Sequence, residues 1–146
     1  MIIVVATDKE SELAAERFPN AQIIKTGVGA LNVISTLKDI DKNEELLNFG
    51  HVGSNMLPIG TEVKIGESKL YHPHVGYDEP SYTLNDGNTT CYTSNDFVLN
   101  TDIVDRPVVF DMELAFILAL GFNNVKSIKI VSDNLNLGEY EETINN

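Results

Sequence analysis

An α/β fold of three layers, a mixed central sheet with flanking helices, is predicted by three features of this sequence. Short apolar runs have strand length, the segments between them have helical spacing, and glycine turns stand where the runs end. With 146 residues and 42% apolar content, the chain has the size of one domain and can bury its own core, so residues 1–146 read as a single domain.

Ile2–Val5 is a buried strand, and Asp8–Phe18 carries Leu13, Ala14, Arg17 and Phe18 at helical spacing before Pro19 interrupts it. Ala21–Lys25 is a second strand, ending in Thr26-Gly27-Val28-Gly29; Leu31, Ile34, Leu37 and Lys38 then mark the stripe of a second helix. Leu46–Phe49 is a third strand closing on a second glycine loop, Gly50-His51-Val52-Gly53-Ser54. Glu62–Ile65 and Ser68–Tyr71 flank Gly66-Glu67 as a hairpin would. His72–Asn88 lacks periodicity and is rich in Pro, Gly, Asp and Tyr, which reads as a long surface loop. Cys91–Thr93 and Val108–Phe110 are short strands, Leu114–Leu120 a helix ending at Gly121, and Ser127–Val131 a last buried strand. After Asp133 the pattern fades, and Glu139-Tyr140-Glu141-Glu142 reads as one helical turn or a frayed acidic tail.

Ten basic against 22 acidic residues give a formal charge of −12. That field repels a phosphate backbone and an anionic lipid surface, so neither nucleic acid nor membrane is an expected partner. The opening apolar run is too short for a signal or a span, and Cys91 is a lone cysteine, which together point to a cytoplasmic protein. His72 and His74 stand two apart without a supporting carboxylate, so no metal site is expected. In α/β folds, ligands sit beyond the carboxyl ends of the strands, which gathers the glycine turns and several carboxylates on one rim.

Those rim clusters, taken in order, resemble the nucleoside phosphorylase/nucleosidase family, closest to the branch that cleaves methylthioadenosine and S-adenosylhomocysteine. Ile2–Val5 with Ala6-Thr7-Asp8-Lys9-Glu10 looks like its opening strand and acidic turn, and Thr26-Gly27-Val28-Gly29 like its first glycine turn. Asn48-Phe49-Gly50-His51-Val52-Gly53-Ser54 is similar to its second, with His51 and Ser54 where smaller residues are usual. Val109-Phe110-Asp111-Met112-Glu113 and Val131-Ser132-Asp133 follow in the family's order, and Ser94-Asn95-Asp96-Phe97-Val98 resembles its base-stacking segment. Against the longer family subunits this chain is shortened between Tyr77 and Cys91, and the helix expected after Asp133 is largely absent.

The resemblance implies cleavage of an N-glycosidic bond of a purine nucleoside, in which the base leaves with negative charge and the ribose becomes positive. Asp133 would be the acid to the base, with a pKa raised by burial and neighbouring carboxylates. Glu113 would hold the ribose diol, Met112 pack on the sugar, Phe97 and Val98 contact the base, and Glu10 activate water. Gly27, Gly29 and Gly50 would let the backbone approach the ligand. Each residue has a plainer reading beside this one. Asp133 suits a turn or cap, Glu113 a helix N-terminus, Met112 the core, and the glycines tight turns. Thr7-Asp8-Lys9-Glu10 is also a capping-box pattern.

Phosphorolysis needs a dianion site, usually of arginines. The only arginines are Arg17 and Arg106, and neither falls in a glycine turn, which favours water over phosphate as nucleophile. Lys25 beside the first turn is the remaining cation there. No cofactor is implied; phosphate would be the co-substrate of a phosphorylase. The expected partners are a small-molecule nucleoside and a second copy of the chain, in a homo-oligomer, as a dimer. Tyr77 and Tyr82 are candidates for lining a neighbour's pocket or for loop packing. A phosphorolytic enzyme and a non-catalytic nucleoside-binding descendant are the alternative readings.

Overall fold

The structure, a computed structural model, describes residues 1–71 and 80–145. Its strands are β1 (Ile2–Val5), β2 (Gln22–Lys25), β3 (Glu45–Ser54), β4 (Glu62–Leu70), β5 (Ser81–Thr83), β6 (Thr89–Thr93), β7 (Val109–Asp111) and β8 (Asn124–Asp133). Its helices are α1 (Asp8–Arg17), α2 (Ala30–Leu37), α3 (Leu114–Ala119) and α4 (Leu137–Asn145). The element order is that of an α/β protein with a mixed sheet, as the sequence predicts.

The strands closes on themselves in part. Strand β3 pairs parallel with β8, β8 antiparallel with β4, β4 parallel with β6, β6 parallel with β7, and β7 returns antiparallel to β3 at Gly53 and Ser54. Strands β1 and β2 extend this ring as a parallel wing from the first half of β3. Inside the ring lie Val52, Ile65, Cys91, Val109 and Val131, stoppered by Leu114 of α3. Helix α1 covers one face of the wing over Ile3, Val5, Leu47 and Phe49. Helices α2 and α3 cover the other with Val33, Leu37 and Ile117 against Ile2, Val4 and Leu46. These are the three layers.

Local chemistry accounts for the helix ends. Thr7 caps α1 through Oγ1, which accepts from the Glu10 N–H at 3.2 Å, while Glu10 reaches back to the Thr7 N–H at 3.3 Å, so the capping box is formed. Gly121, in the left-handed region at φ +94°, follows the end of α3.

Several expected elements are corrected. Gly66-Glu67 is not a hairpin turn: β4 runs through it as one strand, with a register irregularity against β6 between Ile65 and Glu67. Gly66 is small because its Cα faces the backbone of Gly87, where any Cβ would collide. The second glycine loop is likewise the continuation of β3, paired with β8 with a register irregularity between Val52 and Gly53. In α2 the buried positions are Val33 and Leu37, four apart, and the expected stripe residues Leu31 and Ile34 are exposed. The expected long loop contains strand β5. The tail after Asp133 is a nine-residue helix, α4, with no buried residue. His72, His74 and Tyr77 lie outside the described residues, and Tyr82 stands in β5 opposite Ser68. Among the described residues no helix is long and apolar enough to cross a membrane.

Candidate active site

Strand β1 leaves β3 after Asn48, and β7 joins the sheet at Gly53, which opens a gap along β3 between them. Glu10, from the first turn of α1, fills that gap with its carboxylate. Oε2 accepts the main-chain N–H of His51 at 2.8 Å, and Oε1 accepts that of Ala6 at 2.8 Å. The side chain thus stands where a neighbouring strand would stand, bonded to β1 on one side and β3 on the other. A Cβ at Gly50 would come within 2.8–3.0 Å of this carboxylate, so glycine is required by close approach. Burial pushes the Glu10 carboxyl up, but the His51 ring and N–H, Lys129 and the Ala6 N–H outweigh it and hold the pKa below its ordinary value.

Beside the gap is a cavity of about 40 Å³ whose wall includes Glu10, His51, Met112, Glu113, Asp133 and Tyr140. Asp111 ends β7 and is pinned by two donors, the Thr93 hydroxyl and the Leu114 N–H at 2.8 Å, and by an ion pair with Lys129 at 3.2 Å. Lys129 is fully buried, and its ammonium is the cation shared by Asp111, Glu113 and Glu10. Burial opposes that charge, yet the surrounding anions hold the lysine protonated. Glu113 begins α3 without capping it. Burial pushes its carboxyl well above the usual range, Asp111 pushes the same way, and Lys129 and the Gly29 N–H oppose them. The direction favours the protonated form of Glu113, which can donate as well as accept.

Asp133 ends β8 with no exposed surface. Its Oδ1 accepts from the Leu135 N–H at 2.9 Å, and its Oδ2 from the Ser132 hydroxyl at 2.8 Å. Burial raises its pKa against the Ser132, Leu135 and Asn136 donors, with Glu139 adding to the rise. That is the direction an acid needs near neutral pH. The Leu135 bond also makes Asp133 a turn residue, the plainer of its two readings.

No family model and no curated protein matches the sequence, but solved structures match it over almost its whole length. The MTA/SAH nucleosidase of Streptococcus pneumoniae, solved with 8-aminoadenine, superposes with a TM-score of 0.77 at 18% identity, over 98% of this chain and 91% of that one. The Helicobacter pylori MTAN, solved with 5′-methylthioadenosine in its active site, gives 0.80 at 11% identity over 98% and 90%. Futalosine hydrolase of Helicobacter pylori gives 0.78 at 13% identity over 98% and 89%. This chain has the nucleosidase fold.

On that nucleosidase fold, Glu10, Met112, Glu113, Asp133 and Phe97 share the one cavity. Val98 lines a smaller adjoining recess with Phe97, Met112, Asp133 and Leu135. Gly27, Gly29 and Gly50 do not line the cavity; they set backbone shape around it. Gly27 and Gly29 have φ of +87° and +88°, and the Val28 between them reaches the cavity wall. The α2 N-terminus that Gly29 opens is already engaged, because the Ala30 N–H donates to Asn95 Oδ1 at 2.8 Å.

Three residues of the site were not singled out from the sequence. Lys129 hides in the segment Ser127–Val131, where a lysine alternating with Ile128 and Ile130 reads as solvent-facing; it is buried because this sheet face is covered. Asp111 stands inside Val109-Phe110-Asp111-Met112-Glu113, where the resemblance assigns it no role. Tyr140, from the acidic tail, packs on Phe97 with ring centroids 5.3 Å apart, and its phenol is pushed up to about 12 by burial first, then by Glu10, Glu113 and Asp133.

Proposed function

We propose that this protein is a nucleosidase that hydrolyses the N-glycosidic bond of a purine nucleoside. The observation that carries the reading is the convergence of Glu10, Glu113 and Asp133 on one cavity at the carboxyl ends of β1, β7 and β8. In this reading Asp133 protonates the departing base, Glu113 hydrogen-bonds the ribose hydroxyls, and Glu10 takes a proton from the attacking water. The likeness to MTA/SAH nucleosidases and futalosine hydrolase supports this assignment through the fold.

Water is favoured over phosphate as nucleophile by charge. Arg17 pairs with Glu62 on the outer face, Arg106 with Asp105 and the Tyr92 hydroxyl, and Lys25 with Asp8. Lys129 is matched against Asp111. A phosphate dianion would therefore meet several carboxylates, and the α2 N–H of Ala30 is taken by Asn95. No cofactor enters this chemistry.

The cavity is water-sized, whereas small-molecule sites run to about 300–1,000 Å³. Admitting a nucleoside requires Phe97 and Tyr140 to part, and α4, which has no buried residue and is held to β8 through the Thr143 hydroxyl on Ser132 O, carries Tyr140. Val28, Leu31 and Ile34 form an exposed apolar ridge beginning at the cavity wall, which we assign to the contact between two copies in a dimer. A cytoplasmic setting suits the reduced, buried Cys91.

The test is release of free base from methylthioadenosine, S-adenosylhomocysteine, adenosine, inosine and uridine, with and without phosphate, followed by chromatography. Release in water alone is expected, and Asp133→Asn should slow it about 10²–10⁴-fold with the fold intact. Release only with phosphate would make the protein a phosphorylase. Absence of release from the folded protein under both conditions would replace the catalytic reading with a nucleoside-binding one.

A further inference from the structure

We propose that His51 is a positioning residue for the attacking water, acting through Glu10: its imidazole keeps that carboxylate anionic and fixed in the gap of the sheet. The proposal rests on the hydrolytic reading above. His51 and Glu10 have side chains only 4% and 5% exposed, and His51 Nδ1 lies 3.4 Å from Glu10 Oε2. That nitrogen is buried with no hydrogen-bond partner among the described residues. A buried ring nitrogen without a partner is costly, and the group facing it at ion-pair distance is this carboxylate. A proton on Nδ1 points a positive dipole, or in the imidazolium a full charge, at Oε2.

The same residue's main-chain N–H already donates to Oε2 at 2.8 Å. Among the described residues that N–H is the hydrogen bond to Oε2, with the ring nitrogen 3.4 Å from the same oxygen, and Oε1 is occupied by the Ala6 and Thr7 N–H groups. The carboxylate is held at both oxygens, and Oε2, which takes one N–H, keeps an acceptor position on the cavity that Glu10 lines. The other charged groups around it divide by sign. Lys129 of β8 favours the anion; Asp111, Glu113 and Asp133, when ionised, disfavour it. Tyr140 of α4 stays neutral. Burial also disfavours the anion, so loss of the ring shifts the balance toward a protonated Glu10, which cannot accept a proton from water.

The step balances within the site. Water gives one proton to Glu10 as its oxygen bonds to C1′, and the C1′–N pair leaves with the base, which takes its proton from Asp133.

The full chain tests this with two substitutions. His51→Leu removes the nitrogen at similar bulk, and His51→Asn returns an N–H near the place of Nδ1. With methylthioadenosine as probe, kcat and KM are measured across the acid range. His51→Leu is expected to lower kcat about tenfold with little change in KM and to move the acid limb up by about one pH unit. His51→Asn is expected to restore most of both. A wild-type acid limb in His51→Leu, or His51→Asn as impaired as His51→Leu, overturns the proposal. If the wild-type protein releases no base, the hydrolytic reading fails separately, and the pair is read without turnover from the imidazole nitrogen resonances. Their movement on Glu10→Gln supports the pairing, and unchanged resonances overturn it.

Discussion

Replacing Lys129 by Met tests the electrostatic frame of the site most directly. Methionine keeps most of the volume of the lysine stem, so the fully buried position loses its charge with little new cavity. Asp111, 3.2 Å away, then keeps the Thr93 hydroxyl and Leu114 N–H but loses its counter-ion. Removing one partner of a buried pair costs about 3–5 kcal/mol. For a domain of this size that lowers Tm by roughly 10 °C or more. The sign with pH follows from the carboxyls left behind. Glu113 is already pushed above its ordinary pKa, and without Lys129 it is pushed further. A carboxyl whose folded pKa is raised binds more protons folded than unfolded, so the variant loses stability as pH rises through that range. Lys129 itself, its pKa raised above the ordinary lysine value, contributes its full share throughout the neutral and acid range. The deficit measured by urea unfolding should therefore be larger at about pH 8 than at about pH 5. Equal stability of variant and wild type at the higher pH, or a deficit that grows on acidification, would refute the role given to this lysine.

Three further outcomes follow from named contacts. Glu113→Gln replaces a carboxyl that can donate from its O–H by an amide of different donor pattern, and under the proposed reading should lower kcat/KM about tenfold, chiefly through KM in steady-state assays. Gly50→Ala drives a Cβ to within 2.8–3.0 Å of the Glu10 carboxylate, so base release should fall at least about tenfold while circular dichroism shows the fold retained. Leu31→Glu, at a residue 81% exposed, should reduce a dimer to a monomer in light scattering; a monomeric wild-type protein would remove the apolar ridge from consideration as a dimer contact.

What was legible in the sequence is what local physics decides. The strand Ile2–Val5, the capping box at Thr7 and the glycine that follows α3 each depend on neighbours a few residues away, and each is found as expected. The misreadings come from distant contacts. Gly66 looked like a turn because nothing nearby announces that the Gly87 backbone presses against it. The segment 50–54 looked like a loop because its glycines are explained by the carboxylates of Glu10 and Asp133, which pack on Gly50 and Gly53. Of the α2 stripe Leu31, Ile34, Leu37 and Lys38, Leu37 is buried, with Val33 rather than Ile34 beside it on the core face, and hydrophobicity alone does not choose between faces. Of the candidate site, the carboxylates were legible through resemblance, whereas Lys129 was not, since a lysine alternating with Ile128 and Ile130 reads as solvent-facing until the ring closes around it.

That closure bears on how the protein reaches its native state. Strands β3 and β8 meet across 79 residues at Asn48 and Ser127, and the gap occupied by Glu10 exists only once β7 has returned to β3. A topology dominated by such distant pairings folds slowly compared with a helical bundle of equal length, because chain closure must be completed before its contacts repay the entropy. The first turn of α1 and the last turn of β8 supply the two carboxylates at the heart of the cavity, so a half-formed chain holds neither a pocket nor a partner for its buried lysine. Competence to bind should therefore emerge in one cooperative step, at the end of folding, rather than accumulate along the way.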